Sequence, residues 1–401
     1  MSLRDSSGSG PVRIRRRALI AGSAALLLAG GTAGWLAAAP ASHPVARHQT
    51  ASGANGVKSV HLAASTCSGP AGAAYIADAG WDGFSAINTA NCKIIQTYNV
   101  GDPPVPGDPG DYNYASTDEG VAIHGSTLYF ADTGSSNVAV IDTATLDPSN
   151  YNPDETLINV GLNPQDLAVT PDGSQVWVAD TGPQTSPSSP SGVSVISTAS
   201  NKVIASLHIS GGPSQVAFSP SGATAYVVTA NGLYIYRTAT RQQVGLVRGL
   251  GDPRAVAVSP DGRTVYVTDT VASTVAVIDA ATGRITHQIK VGQMPWQAVI
   301  SADGKTVYVA DADANAVSII STATNRVTGT VTIPGDPDTL ALTPNGQQLW
   351  VGQNTAAFVT VVDTASKTIT GTINLGGDEP QSGDGYEPTG IALTSTPTAG
   401  S

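Results

Sequence analysis

An aromatic residue heading a short β-branched run recurs seven times along this chain, at Tyr75, Tyr129, Trp177, Tyr226, Tyr266, Tyr308 and Trp350. The intervals are 54, 48, 49, 40, 42 and 42 residues, a period of stacked repeats rather than of one globular core. In a clear copy, residues 253–262, 264–269, 274–279 and 284–291 form four short apolar runs separated by turn chemistry. Each copy therefore reads as a four-stranded antiparallel unit. One such sheet cannot cover both of its apolar faces, whereas seven arranged radially sandwich one another. The expected fold is all-β, a seven-bladed β-propeller of four-stranded antiparallel blades. Composition agrees: 44 Gly and 26 Pro, with only 12% charged residues, exclude a helical bundle or coiled coil, and the regular Val and Ile patterns exclude disorder.

The two ends predict how the ring shuts. The first copy, starting near Ala73, lacks an innermost strand and its turn. Pro388-Thr389-Gly390-Ile391-Ala392-Leu393-Thr394 matches the opening strand of the other copies and has no second strand after it. The C-terminal strand is therefore expected to pair into the first blade beside Tyr75. Left open, the ring would expose two sheet edges.

Turn chemistry sorts the loops onto two faces. Thr170-Pro171-Asp172-Gly173, Ser259-Pro260-Asp261-Gly262 and their counterparts join the first and second strands on one face. On the other face lie the loops leading into each innermost strand, together with those joining the second and third strands. The residue after the Pro of the leading loop should point near the central funnel. Around the ring these are Glu119, Gln165, Ser214, Arg254, Trp296, Asp338 and Thr389. They differ from one another while their surroundings repeat, as a binding surface grafted on a regular scaffold would; the alternative is loop residues free to drift. A second ring, Asp78, Asp132, Asp180, Thr229, Asp269, Asp311 and Gln353, suits turn capping, with cation attraction as the alternative. His124, His208 and His287 fall outside the funnel, so it offers no His general base.

Tyr266-Val267-Thr268-Asp269 and Tyr308-Val309-Ala310-Asp311, with Ser-Pro-Asp-Gly turns and Val-Ile-Asp-Thr-Ala-Thr endings, resemble YVTN-family, YncE-like β-propeller repeats over roughly residues 70–395. The Asn of the family motif is Asp in five of the seven copies. The resemblance implies exported or surface proteins and a distant relation to seven-bladed lactonases. A lactonase-like hydrolase or lyase acting on a small lactone or sugar-like compound would use carboxylates and a metal, with Glu119 and Asp338 as participants. The leading expectation is instead a secreted, non-catalytic propeller that binds a ligand or protein partner on its acidic face and requires no cofactor. A cell-surface structural module is a third reading.

Two insertions, residues 101–119 and 376–387, flank the first blade with many Asp, Glu and Tyr residues. Tyr112, Tyr386 and Trp81 among carboxylates suit a small cationic or sugar-like ligand. Asp111, Asp118, Asp384 and Glu387 are the candidates for Ca²⁺ or another divalent ion. An acidic lid without a ligand is the competing reading.

The N-terminus reads as an address. Arg13, Arg15, Arg16 and Arg17 precede an apolar run from Ala18 to Ala39 that ends in small residues, the layout of a secretory signal. Arg16-Arg17-Ala18-Leu19-Ile20 fits a twin-arginine pattern, with Arg15 where Ser or Thr is usual. An export signal over 1–41, a flexible tether over 42–58 and the propeller over 59–401 are expected, placing the protein outside the cell or on its surface. An uncleaved anchor is the alternative to cleavage. Residues 1–41 hold five Arg and one Asp, so the remainder has 14 basic and 29 acidic residues, a formal charge of −15. That balance argues against nucleic acid as a partner; a monomer is expected. Cys67 and Cys92, the two cysteines of the chain, predict a disulfide in an oxidising compartment. Its 25-residue loop would contribute on the order of 3 kcal/mol.

Overall fold

The computed structural model describes residues 72–78, 83–100, 120–182, 191–376 and 387–394. They form seven antiparallel sheets of four strands each. Blade 1 combines Ala73–Asp78, Gly83–Asn88 and Lys93–Asn99 with the C-terminal strand Pro388–Thr394. Blades 2 to 7 occupy residues 121–159, 164–208, 213–247, 253–290, 295–332 and 337–374 in chain order. The expected propeller is the observed one. The ring is shut as the ends predicted, with Ala73 opposite Thr394, Tyr75 opposite Ala392 and Asp78 opposite Pro388.

No single core holds the blades. Buried apolar side chains gather in seven clusters, and each cluster joins two consecutive blades. The seam between blades 7 and 1 has its own cluster, with Trp350, Val359 and Ile373 against Ala74, Ile76 and Ile87. This arrangement explains strands that are apolar on both faces: each face of an inner strand belongs to a different interface. All seven repeated aromatics are buried in these interfaces. Blade 1 adds an aromatic group in which Phe84 stacks on Tyr98 at 5.1 Å and meets Tyr75 edge-on at 5.9 Å between ring centroids.

The outer strands are sheet edges, and blade 1 has an unforeseen cover for its own. The segment after the third strand of blade 2 crosses over, so that Asn99 N donates to Tyr151 O and Gln96 Nε2 to Pro148 O, both at 2.8 Å. Backbone groups of an edge are thereby paired rather than left open.

On the turn face, Gly of one blade sits beneath Pro of the preceding one. A Cβ added at Gly222, Gly262 or Gly304 would lie 3.3–3.4 Å from Cδ of Pro171, Pro220 or Pro260. His124 replaces the Pro in blade 2, and its ring covers Gly173. Ala302 replaces it in blade 6, and nothing lies within 4 Å of such an atom at Gly346. The last turns are capped as expected: Asp142, Asp279 and Asp363 accept from Ala144 N, Thr282 N and Ser366 N.

Candidate functional site

Six of the seven innermost strands carry a pairing irregularity at their mouth end. In blade 4, Pro213 pairs with Thr229 and Gln215 with Val228, leaving Ser214 outside the register. The same slip passes over Gln165 in blade 3, Asp338 in blade 7 and Thr389 in blade 1. In blades 5 and 6 it takes in Arg254 with Ala255 and Trp296 with Gln297. A bulged residue leaves the ladder and re-aims its side chain. Gln165, Ser214, Arg254, Trp296, Asp338 and Thr389 all line one central cavity of about 100 Å³. Glu119 lies outside the described residues; its neighbour Gly120 lines the same cavity.

The cavity wall is held by hydrogen bonds from blade to blade. Asp166, Gln215 and Gln297, each directly after a ring residue, reach the next blade's inner strand. Val216 N donates to Asp166 Oδ2 at 3.2 Å, and Val256 N to Gln215 Oε1 at 2.7 Å. Leu340 N donates to Gln297 Oε1. These three residues were missed in the sequence, where the only signal is an amide or carboxylate two positions after the Pro. Among the ring residues, Ser214 Oγ donates to Arg254 O at 2.9 Å. The Arg254 guanidinium lies 4.5 Å above the centre of the Trp296 ring, and its Nε is 3.5 Å from Asp252 Oδ2. A contact of that kind holds the guanidinium against the indole face. Asp338, buried, accepts from Asn354 Nδ2 at 2.9 Å.

The second ring does not face the cavity. Every member is buried, and each is used in the fold. Asp132 accepts from Ser135 N, Asp269 from Gly251 N, Asp252 N and Ala272 N, and Thr229 from Asn231 N. Asp78 accepts from Glu387 N at 2.9 Å, tying the loop before the closing strand to the end of a first-blade strand. Asp180 and Asp311 instead turn between the strands and accept from Ser194 and Ser318 hydroxyls at 2.6 and 2.5 Å. Two positions into the third strand these blades carry Ser194 and Ser318, whereas Ala139 and Ala276 stand there in the blades whose acid caps the turn. Burial pushes the Asp180 carboxyl up to about 7 and that of Asp311 up to about 6, because the serine hydroxyl and nearby backbone N–H groups do not offset the loss of water.

The other expected site residues are mostly out of reach. Trp81, Tyr112, Tyr386, Asp111, Asp118, Asp384 and Cys67 lie outside the described residues. Glu387 is described and half-buried. Among the described residues, no three His, Cys, Asp or Glu side chains converge as metal ligands would, and no cysteine is free. No helix among them is long and apolar enough to cross a membrane.

Comparison with known families fits this geometry. The choice-of-anchor I domain matches residues 74–300, more than half of the chain, and a YncE-like β-propeller matches residues 296–383. The chain is a YncE-like seven-bladed propeller of the choice-of-anchor I family. No curated protein matches this family member significantly. Among solved structures, Kuenenia stuttgartiensis hydrazine synthase is similar over 72% of this choice-of-anchor I chain and 93% of its own, with 22% identity and a TM-score of 0.58. A functionally unknown protein from Desulfotomaculum acetoxidans DSM 771 is similar over 80% and 98%, with 16% identity and a TM-score of 0.63. At these identities the likeness is one of fold.

Proposed function

We propose that this propeller is an exported, non-catalytic receptor that holds a ligand or protein partner at the mouth of its ring. One observation carries the reading: a bulge at the same backbone site in six blades delivers six different side chains to one cavity. Bulges next to function are built features rather than defects, and a repeated backbone with varied tips is how propellers acquire specificity. At about 100 Å³ the cavity is smaller than the roughly 300 Å³ at which drug-sized pockets begin. It suits one small group, whether a free molecule or the tip of a partner.

Export rests on the Arg13–Arg17 stretch with its apolar run, and Cys67 with Cys92 is proposed as the matching disulfide. Cell fractionation, with mass spectrometry of the unreduced secreted chain, tests both; an intracellular, fully reduced chain would refute them. For the mouth, a thermal-shift screen of the mature protein against small anions, amines, sugars and Ca²⁺ is decisive, because a ligand of the folded state raises its apparent stability. A hit must be weakened by substitution at Arg254 or Trp296. Hits indifferent to both residues would place binding elsewhere.

A further inference from the structure

The hydrogen bonds of the mouth leave particular donors unengaged. An amide side chain can meet a backbone N–H only through its oxygen. Since Gln215 and Gln297 accept from Val256 N and Leu340 N, their NH₂ groups are left over, and both residues line the cavity. Neither NH₂ group finds a partner among the described residues. Among the described residues Arg254 is the one Lys or Arg in the cavity wall. It is pinned by Trp296 and Asp252, with no hydrogen bond from its guanidinium to a described residue.

The lining acids are the argument against an anion, and each has one oxygen held by a protein donor. Asp166 accepts from Val216 N and Asp338 from Asn354 Nδ2. Each lining acid among the described residues thus has one oxygen turned to a protein N–H, and the Gln215 and Gln297 amides are left with N–H donors. Ca²⁺ would need six to eight oxygens.

We propose that the mouth binds a compact carboxylate, held by the Arg254 guanidinium and the amide N–H groups of Gln215 and Gln297. This rests on the receptor reading above and concerns the mouth, apart from the cationic or sugar-like ligand expected at the two acidic insertions. A planar carboxylate matches the two-pronged edge of a guanidinium. The volume has room for roughly half a dozen waters, hence for a ligand of a few heavy atoms. Excluding water from a small polar cleft strengthens each of these contacts.

Calorimetric titration of the mature protein with acetate and with succinate, at constant ionic strength with chloride as the balance, tests the assignment. Choline and glucose serve as the cationic and neutral probes. Saturable carboxylate binding is expected, weakened at least tenfold in R254Q. Gln297→Glu keeps the oxygen that meets Leu340 N and removes the donors, so it too should weaken binding, about tenfold, with an unchanged unfolding midpoint. That second variant keeps the test valid if R254Q does not fold. Absence of saturable carboxylate binding, or affinity unchanged in Q297E, overturns the proposal. Choline or glucose binding that depends on Trp296, without carboxylate binding, overturns the anion assignment and leaves the receptor reading standing. Silence from every probe of the screen and the titration counts against both.

Discussion

Aspartates recur blade by blade on both faces of this ring, and the two sets behave in opposite ways. On the turn face Asp172, Asp261 and Asp303 are exposed, and each accepts from a hydroxyl two residues back and a backbone N–H two residues on. Their carboxyls are held below the usual range, those of Asp172 and Asp303 at about 2, chiefly by the Thr170 and Ser301 hydroxyls. Toward the mouth, Asp180 and Asp311 have a short hydroxyl bond too, yet their carboxyls are raised. Solvent makes the difference. Water supplies the rest of the charge stabilisation on the turn face, and packing removes it behind the mouth. The same residue type is a locked turn in one place and a stored proton in the other.

The largest effect should come from discharging the buried pair. The folded-state values of Asp180 and Asp311 lie above the ordinary 3.8, so the folded chain holds the extra protons. Stability is then full in acid and falls as pH rises through 6 and then 7. Between pH 5 and pH 8 the two should cost about 4 kcal/mol, at roughly 1.4 kcal/mol per pH unit per group. Urea unfolding at both pH values should show the wild type weaker at pH 8, with much of that difference gone in D180N/D311N. An equal pH response in wild type and double variant would break the contrast between the faces.

A second test addresses the packing that creates the contrast. A Cβ at Gly292 would lie 2.6–2.7 Å from Asp311 side-chain atoms, and one at Gly161 about as close to Asp180. Gly292→Ala should therefore destabilise by about 1–3 kcal/mol, measured by chemical denaturation at pH 5. A neutral result would mean that the carboxylate is not wedged there. Smaller still is the gain from Ala302→Pro. It restores the residue found at Pro171, Pro220 and Pro260 and should cover Gly346, adding about 0.4–1 kcal/mol as a higher thermal midpoint.

The smallest effect belongs to Asp303→Asn. Blade 7 already carries Asn345 at this position, accepting from Thr343 Oγ1 and Gln347 N, so near-neutral stability is expected at pH 7. Because the Asp303 carboxyl is depressed, its contribution is present above pH 4 and lost as pH falls toward 2. D303N should flatten that acid limb slightly. A large loss at pH 7 would show that the charge, not the turn geometry, matters there.

Much of the mouth was legible because a repeat turns position into geometry. Once Pro213, Pro253 and their counterparts were aligned, the following residue in each blade had to occupy equivalent space, and the described six share a cavity. What alignment missed was the reason they point inward, since a bulge is a property of pairing between two strands. Asp166, Gln215 and Gln297 escaped notice for a related cause: each does its work in the neighbouring blade. The cationic or sugar-like ligand was expected at the two insertions beside the first blade, and its Trp81, Tyr112 and Tyr386 lie outside the described residues.

Sequence alone determined the number of blades, their four-strand make-up, the turn chemistry and the closing strand, because all of these follow from short-range periodicity and the residues that end a strand. Tertiary structure decided which acids keep their water and which neighbours Asp166, Gln215 and Gln297 reach, because solvation and hydrogen-bond partners are set by groups that meet only when the ring closes.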